Sequence, residues 1–230
     1  MSKVLVIADT QAPFIHQDYL KFLKAVQKKY STTITIHVGD LVDHHALGDW
    51  DHDPDGFSAG QELKEAIKQL TPFYKAFPKM LVCKGNHDER IFRRAMKYGI
   101  PRAYLREYRD FLKAPKGWKW LDKVEVDNVV YKHGLGYSGV QGAINAAKDE
   151  LKSCVIGHLH ADAGVLFWAN SQVLLFGMNV GSGIDKDAYA FEYGKHMRKK
   201  PILSCGVVID GNPVLVVMHL NKRGRWTGKL

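Results

Sequence analysis

The sequence has no apolar run long enough to cross a bilayer; its longest, such as VLLFGMNV at 173–180, are strand-sized. It has only three cysteines, Cys83, Cys154 and Cys205, each inside an apolar run and none in CxxC spacing. That argues against a disulfide framework and against a zinc-thiolate site, and for buried structural thiols. There is no internal repeat, no low-complexity segment and no Ser/Gly-rich linker to divide the chain. The opening MSKVLVIAD offers one lysine and a short apolar stretch that runs straight into an acid. Without a small-residue cleavage pattern, no signal peptide is expected, and the expected location is cytoplasmic. Acids are in deficit: 24 Asp and Glu against 33 Lys and Arg give +9 with His neutral. Such an excess is a weak pull toward polyanions such as nucleic acid.

What is present is the balance of a globular protein: 230 residues, 46% hydrophobic and 25% charged, read as a single domain over 1–230. Apolar, β-branched runs predict strands at 3–8, 32–38, 79–83, 124–133, 153–157, 164–170, 173–180, 203–210 and 213–220. The turn signal in IDGNPV joins the last two as a hairpin. Helical apolar stripes fall at 58–71 (Leu63, Ala66, Ile67, Leu70) and 138–151 (Val140, Ile144, Ala147, Leu151). A third is expected from Pro101, with Tyr104, Leu105, Tyr108 and Leu112 on one side. Strand and helix alternate early and strands dominate late, which predicts an α/β fold of two packed sheets with helices outside.

Polar residues gather where the apolar runs stop. Asp9, Thr10 and Gln11 follow the first run, and Asp40, Asp43 and His44 the second. Asn86, His87 and Asp88 follow the third, His133 follows VVYK, and His158 and His160 follow CVIG. Each has an ordinary reading: Asp9 as a helix cap, Asn86 as a turn residue, His133 as a hydrogen-bonded strand histidine. Their coincidence at five strand ends is what points to a site, because α/β sheets bind ligands beyond the carboxyl ends of strands. Carboxylate, imidazole and amide oxygen together suit hard-to-borderline divalent metals, and one carboxylate can bridge two ions.

The segments ADTQ, GDLVD, GNHDE, KHG and GHLH resemble, in order, the motif series of the calcineurin-like metallophosphoesterase superfamily. NVGSG at 179–183 resembles the Asn-Pro-Gly-Ser stretch that follows there, with Val180 in place of proline. The resemblance implies a four-layer αββα sandwich and a pair of divalent ions. One ion would take Asp9, Gln11, Asp40 and His160; the other would take Asp40, Asn86, His133 and His158, with Asp40 bridging. It further implies that His87 acts as general acid or charge stabiliser, oriented by Asp88, while a metal-bridging hydroxide attacks phosphorus. Gln11 departs from the family's usual histidine. An amide oxygen is a harder and weaker ligand than imidazole, so Mn²⁺ is the expected metal, with Mg²⁺, Zn²⁺, Fe or Ni as alternatives.

The family's protein phosphatases carry Asp-Arg-Gly after GDxV and GNHE where this chain has GNHD, so a protein phosphatase is disfavoured. His44 stands where that phosphate-gripping arginine would be, and is a candidate substrate-binding residue with Arg90, Arg93 and Arg94. The segment 89–120 interleaves those arginines, Lys97, Arg102, Arg106 and Arg109 with Tyr98, Tyr104, Tyr108, Phe111, Trp118 and Trp120. It reads either as a helical cap that holds nucleic acid by charge and stacking, or as an amphipathic element whose aromatics are core. The loop 43–56, dense in Asp and His, and the basic patches at 195–200 and 221–230 are weaker signals. The expectation is a metal-dependent phosphodiesterase or nuclease whose partner is nucleic acid or a nucleotide, with no membrane partner. The alternatives are a phosphomonoesterase or small-nucleotide hydrolase, and a non-catalytic scaffold on the same fold.

Overall fold

The computed structural model describes residues 2–49, 55–187 and 200–230. Its first sheet has six strands in the order β11-β10-β1-β2-β3-β4. These are β1 (Lys3–Ile7), β2 (Ile34–His37), β3 (Met80–Cys83), β4 (Trp118–Leu121), β10 (Ser204–Ile209) and β11 (Asn212–Val217). The second has five, in the order β5-β6-β7-β9-β8. They are β5 (Lys123–Val126), β6 (Val129–Lys132), β7 (Ser153–Ile156), β8 (Gly164–Ala169) and β9 (Leu174–Asn179). Strands β1 to β4 run parallel in the first sheet. Strands β6, β7 and β9 run parallel in the second. No helix among the described residues is long and apolar enough to cross a membrane.

Strand alternation builds three apolar layers. Val4, Val6 and Ala8 face Tyr131, Val155, Phe176 and Met178 in the seam between the sheets. Leu5 and Ile7 point the other way, onto helices α1 (Tyr19–Tyr30) and α2 (Ala59–Ala76). On the far side, Val130, Cys154 and Ile156 pack against helix α5 (Gly142–Glu150). The result is helix, sheet, sheet, helix, as expected. All three cysteines are buried and unpaired, and burial pushes the Cys83 and Cys154 thiols up to about 12.

Several elements differ from the sequence expectation. The run 124–133 is a hairpin, because Asp127 and Asn128 both take left-handed backbone, the requirement of a tight two-residue turn. The same turn at Asp210-Gly211 closes the expected β10–β11 hairpin. Helix α1 was not predicted, although Tyr19, Phe22, Leu23 and Val26 mark its buried face. No single helix runs from Pro101: residues 102–104 form a 3-10 turn, and helix α4 (Tyr108–Phe111) is one turn long. Tyr104 is exposed while Tyr108 and Leu112 are buried, so the stripe does not hold together. Helix α5 starts later than predicted and leaves Val140 and Leu151 exposed. Trp118 and Trp120, placed by sequence in a cationic cap, belong to β4. Part of the loop 43–56 (50–54) and all but one residue of the patch 195–200 lie outside the described residues.

Candidate metal centre

The carboxyl ends of β1, β2 and β3 deliver Asp9 and Gln11, Asp40, and Asn86 and His87. Those of β6 and β7 deliver His133, and His158 and His160. Backbone bonds tie the first two loops together: Asp9 N–H to the Gly39 carbonyl at 3.1 Å and Gln11 N–H to the Asp40 carbonyl at 3.0 Å. Asn179, from the NVGSG stretch, fixes the third. Its Nδ2 donates to the Leu159 carbonyl at 2.7 Å and the Asp162 carbonyl at 3.0 Å, holding the turn that carries His158 and His160. Two motif glycines are required by close approach. A Cβ on Gly85 would lie 2.1 Å from Asp40 Oδ1, and one on Gly157 2.2 Å from Asp9 Oδ2.

Four of the seven sequence-predicted ligands sit in left-handed backbone: Asp9 (φ 45°), Gln11 (43°), Asp40 (54°) and His158 (68°). Non-glycine residues there cost about 1–3 kcal/mol each, and such strain concentrates at functional sites. Two groups result. Ligand atoms of Asp40, His133 and His158 lie within 4.8 Å of one another, as do those of Asp9, Asp40 and His160. Asp40 belongs to both.

The polar contacts within these groups are unsatisfied in a way that a cation would satisfy. His133 Nδ1 donates to the Val38 carbonyl at 3.0 Å, leaving Nε2 inward. That atom faces Asn86 Oδ1 at 2.9 Å, Asp40 Oδ2 at 3.2 Å and His158 Nδ1 at 3.2 Å. One proton cannot serve three acceptors. Asp40 Oδ2 and Gln11 Oε1 are buried without a hydrogen bond. An orphaned buried oxygen costs about 1–3 kcal/mol. Oxygen and imidazole donors around orphaned oxygens fit divalent ions, and the second ring nitrogen of His133 is oriented by a backbone carbonyl as ligating histidines are. Burial pushes the Asp40 carboxyl up, but the His133 and His87 charges outweigh it and hold it well below the usual range. Burial lowers His133, yet the Asp40 carboxylate outweighs it and lifts the imidazole to about 10. Burial, then the His133 charge, lower His158.

His87 sits beside Asp40, its backbone N–H donating to Asp40 Oδ1 at 2.8 Å and its Nε2 3.9 Å from Oδ2. Its orienting partner is Asp43: His87 Nδ1 donates to Asp43 Oδ1 at 2.6 Å. This corrects the expectation that Asp88 does so. Asp88 turns away and accepts four backbone N–H groups, from Asp40 and Gly85 at 2.9 Å, Leu41 at 3.0 Å and Val42 at 3.2 Å. It holds the loop that carries Asp40. Burial lowers His87, but the Asp40 and Asp43 charges raise it overall.

The predicted substrate residues separate. Arg90 gives Nη1 to the Asp43 carbonyl at 2.9 Å and to Asp43 Oδ1 at 3.1 Å, and its Nη2 lies 3.2 Å from His87 Nε2. Arg94 binds the Leu47 carbonyl at 2.8 Å, the Gly48 carbonyl, and Asp49 at 2.9 Å. Both arginines are committed to the loop after Asp40. His44 is buried, donates Nδ1 to the His87 carbonyl at 3.1 Å, and is lowered by burial, so it is not an exposed cation. Arg93 is exposed. Arg90, Arg93, Arg94 and Lys97 line a cleft of about 280 Å³ that reaches Asn86. Of the aromatics, Tyr98 and Tyr104 are exposed and the others pack inward. Tyr108 and Trp118 are buried, and Tyr108 stacks on Trp120 at 5.7 Å and edges onto Phe92 at 4.9 Å.

Metal-type donors at the ends of parallel strands, gathered where two packed sheets meet, are the arrangement of a metallophosphoesterase sandwich. The chain belongs to the calcineurin-like phosphoesterase family, whose model matches residues 2–170. That family binds divalent metals. No curated protein matches. Among solved structures the chain is similar to Vps29 of Chaetomium thermophilum, with TM-score 0.50 and 10% identity over 99% of this chain and 91% of that one. Two others are a metallophosphoesterase from Sphaerobacter thermophilus and YfcE, a phosphoesterase from E. coli. The first has TM-score 0.48 and 12% identity over 96% and 89% of the two chains. The second has 0.42 and 16% over 99% and 98%. At 10% identity the likeness to Vps29 speaks to fold alone, and activity has to be argued from the site.

Proposed function

We propose that the chain is a metal-dependent phosphodiesterase acting on a nucleotide-containing substrate. The observation that carries this reading is the shared carboxylate: Asp40 belongs to both donor groups and also anchors His87. Asp9, Gln11, Asp40 and His160 would hold one divalent ion, and Asp40, Asn86, His133 and His158 a second. Bound there, divalent ions supply positive charge for a phosphoryl group and lower the pKa of water. His87 handles the other proton. Asp43 fixes its Nδ1–H and favours the charged ring, so Nε2 can give its proton to the departing oxygen. Arg90 Nη2, 3.2 Å away, donates to Nε2 when the ring is neutral and opposes the charged ring, which favours release of that proton.

The burial of Tyr108 and Trp118 favours a second reading, a small-nucleotide hydrolase or phosphomonoesterase, over a nuclease that stacks a long strand. The experiment is turnover of bis-p-nitrophenyl phosphate and p-nitrophenyl phosphate with Mn²⁺, alongside the metal content of Asp40→Asn. Diester turnover in the wild type, with loss of metal and of turnover in the variant, supports the proposal. A variant that keeps its metal and its rate removes the shared carboxylate from the chemistry. Preference for the monoester favours the second reading.

A further inference from the structure

Helix α3 (Arg90–Lys97) begins directly after His87, Asp88 and Glu89. Residues 90, 93, 94 and 97 are three or four apart, so they share one face and their like charges repel. Two of the four are neutralised where they stand. Arg90 is bound to Asp43, and Arg94 to Asp49 and two carbonyls. Arg93 has no ion-pair partner among the described residues. Lys97 reaches only 3.8 Å from the Asp49 oxygen that Arg94 already holds at 2.9 Å, and its side chain is 63% exposed. The cleft these residues line therefore has four cations and one carboxylate. Asn86 and Arg90 also line it, the first a candidate metal ligand and the second beside His87.

We propose that this cleft seats a second, non-reacting phosphate of the substrate, held by Arg93 and Lys97 beside the scissile one. The proposal rests on the phosphoesterase reading of the adjoining centre. The lining contains no aromatic side chain and only Leu47 as an apolar one, so the cleft recognises charge rather than a base. At about 280 Å³ it takes a compact group, not the side of a duplex. Arginine and lysine together match a phosphate, through forked hydrogen bonds from one and a point charge from the other. The substrate class is then a phosphoester that carries a further phosphate close to the bond that breaks, such as a nucleotide unit with a 5′-phosphate.

The test uses thymidylyl-thymidine with and without a 5′-phosphate, bound to metal-stripped protein and followed by calorimetry. The phosphorylated form should bind about tenfold more tightly, the worth of charge-assisted hydrogen bonds to one group. Arg93→Ala and Lys97→Ala should each remove most of that preference and leave the unphosphorylated form unchanged. Inorganic pyrophosphate, which has the charge and no base, should compete in the wild type and much less in Arg93→Ala. Equal binding of the two dinucleotides by the wild type, a preference that survives in the double variant, or failure of pyrophosphate to compete would each overturn the proposal. Turnover of bis-p-nitrophenyl phosphate, which lacks a second phosphate, is measured in parallel with Mn²⁺. Its absence in the wild type would sink the phosphoesterase reading, while the metal-free binding still decides the cleft.

Discussion

Replacing Asp88 by asparagine separates a structural carboxylate from a catalytic one. Each Asp88 oxygen takes two backbone N–H groups: Oδ2 those of Asp40 and Gly85, Oδ1 those of Leu41 and Val42. Burial and then the Asp40 charge push the carboxyl up to about 7, against the pull of those N–H groups. Asparagine keeps one oxygen and sets an NH₂ against two N–H donors. Two buried N–H groups are then left without an acceptor, at about 1–3 kcal/mol each, for a total of about 2–6 kcal/mol. That is a large share of the 5–15 kcal/mol, roughly, by which domains are stable. With a urea slope of about 2–3 kcal/mol/M, the unfolding midpoint should fall by about 1–3 M. Urea titration followed by circular dichroism at pH 8 measures it. A midpoint within about 0.3 M of wild type would refute the cradle's energetic role. A variant that kept its midpoint and lost only turnover would return Asp88 to the chemistry.

Asp43→Asn should lower turnover of an aryl diester by about 10²–10⁴-fold with metal content unchanged, since it removes the charge that orients His87; elemental analysis beside kinetics checks both halves. Gln11→His should raise affinity for one ion and shift preference toward zinc, because imidazole is the softer donor; identical titrations of stripped wild type and variant would remove Gln11 from the ligand set. Asp18 is held down to about 2 by the Arg225 guanidinium, so its contribution is complete above its ordinary value of 3.8 and is lost as pH falls toward 2. Arg225→Ala should therefore flatten the fall of Tm between about pH 4 and pH 2, and an unchanged slope would show that the pair does nothing for the fold.

The strand ends were legible because β-branched runs mark strands locally, and a polar residue just past one has few places to go in a packed sandwich. Asp9, Asp40, Asn86, His133, His158 and His160 converge for that reason. The Asp210-Gly211 turn was legible from its residue pair alone. Other assignments depended on geometry that spacing does not carry. Nothing in GDLVD or GNHDE says which of Asp43 and Asp88 meets His87; loop curvature decides, and it turns Asp88 onto backbone. Arg90 and Arg94 look identical to Arg93 in sequence, yet the first two are taken up by carbonyls of the loop 43–48. The aromatics of 104–120 fit a stacking surface or a core equally well as letters. Helix α1 had both a readable stripe and an aspartate at its N-cap position, Asp18, although that carboxylate goes to Arg225 and Trp226 instead of to the helix.

The candidate ligands divide by chemistry along the seam between the sheets. Every carboxylate and amide among them follows a strand of the six-stranded sheet, and every imidazole follows a strand of the five-stranded one. Each of the two donor groups draws on both sheets. Ions held by both halves would act as rivets, so that metal affinity and sheet docking draw on one free energy. A chelator would then loosen the seam, and a void cut at Phe176, deep in that seam, would be felt as weaker metal binding at its rim.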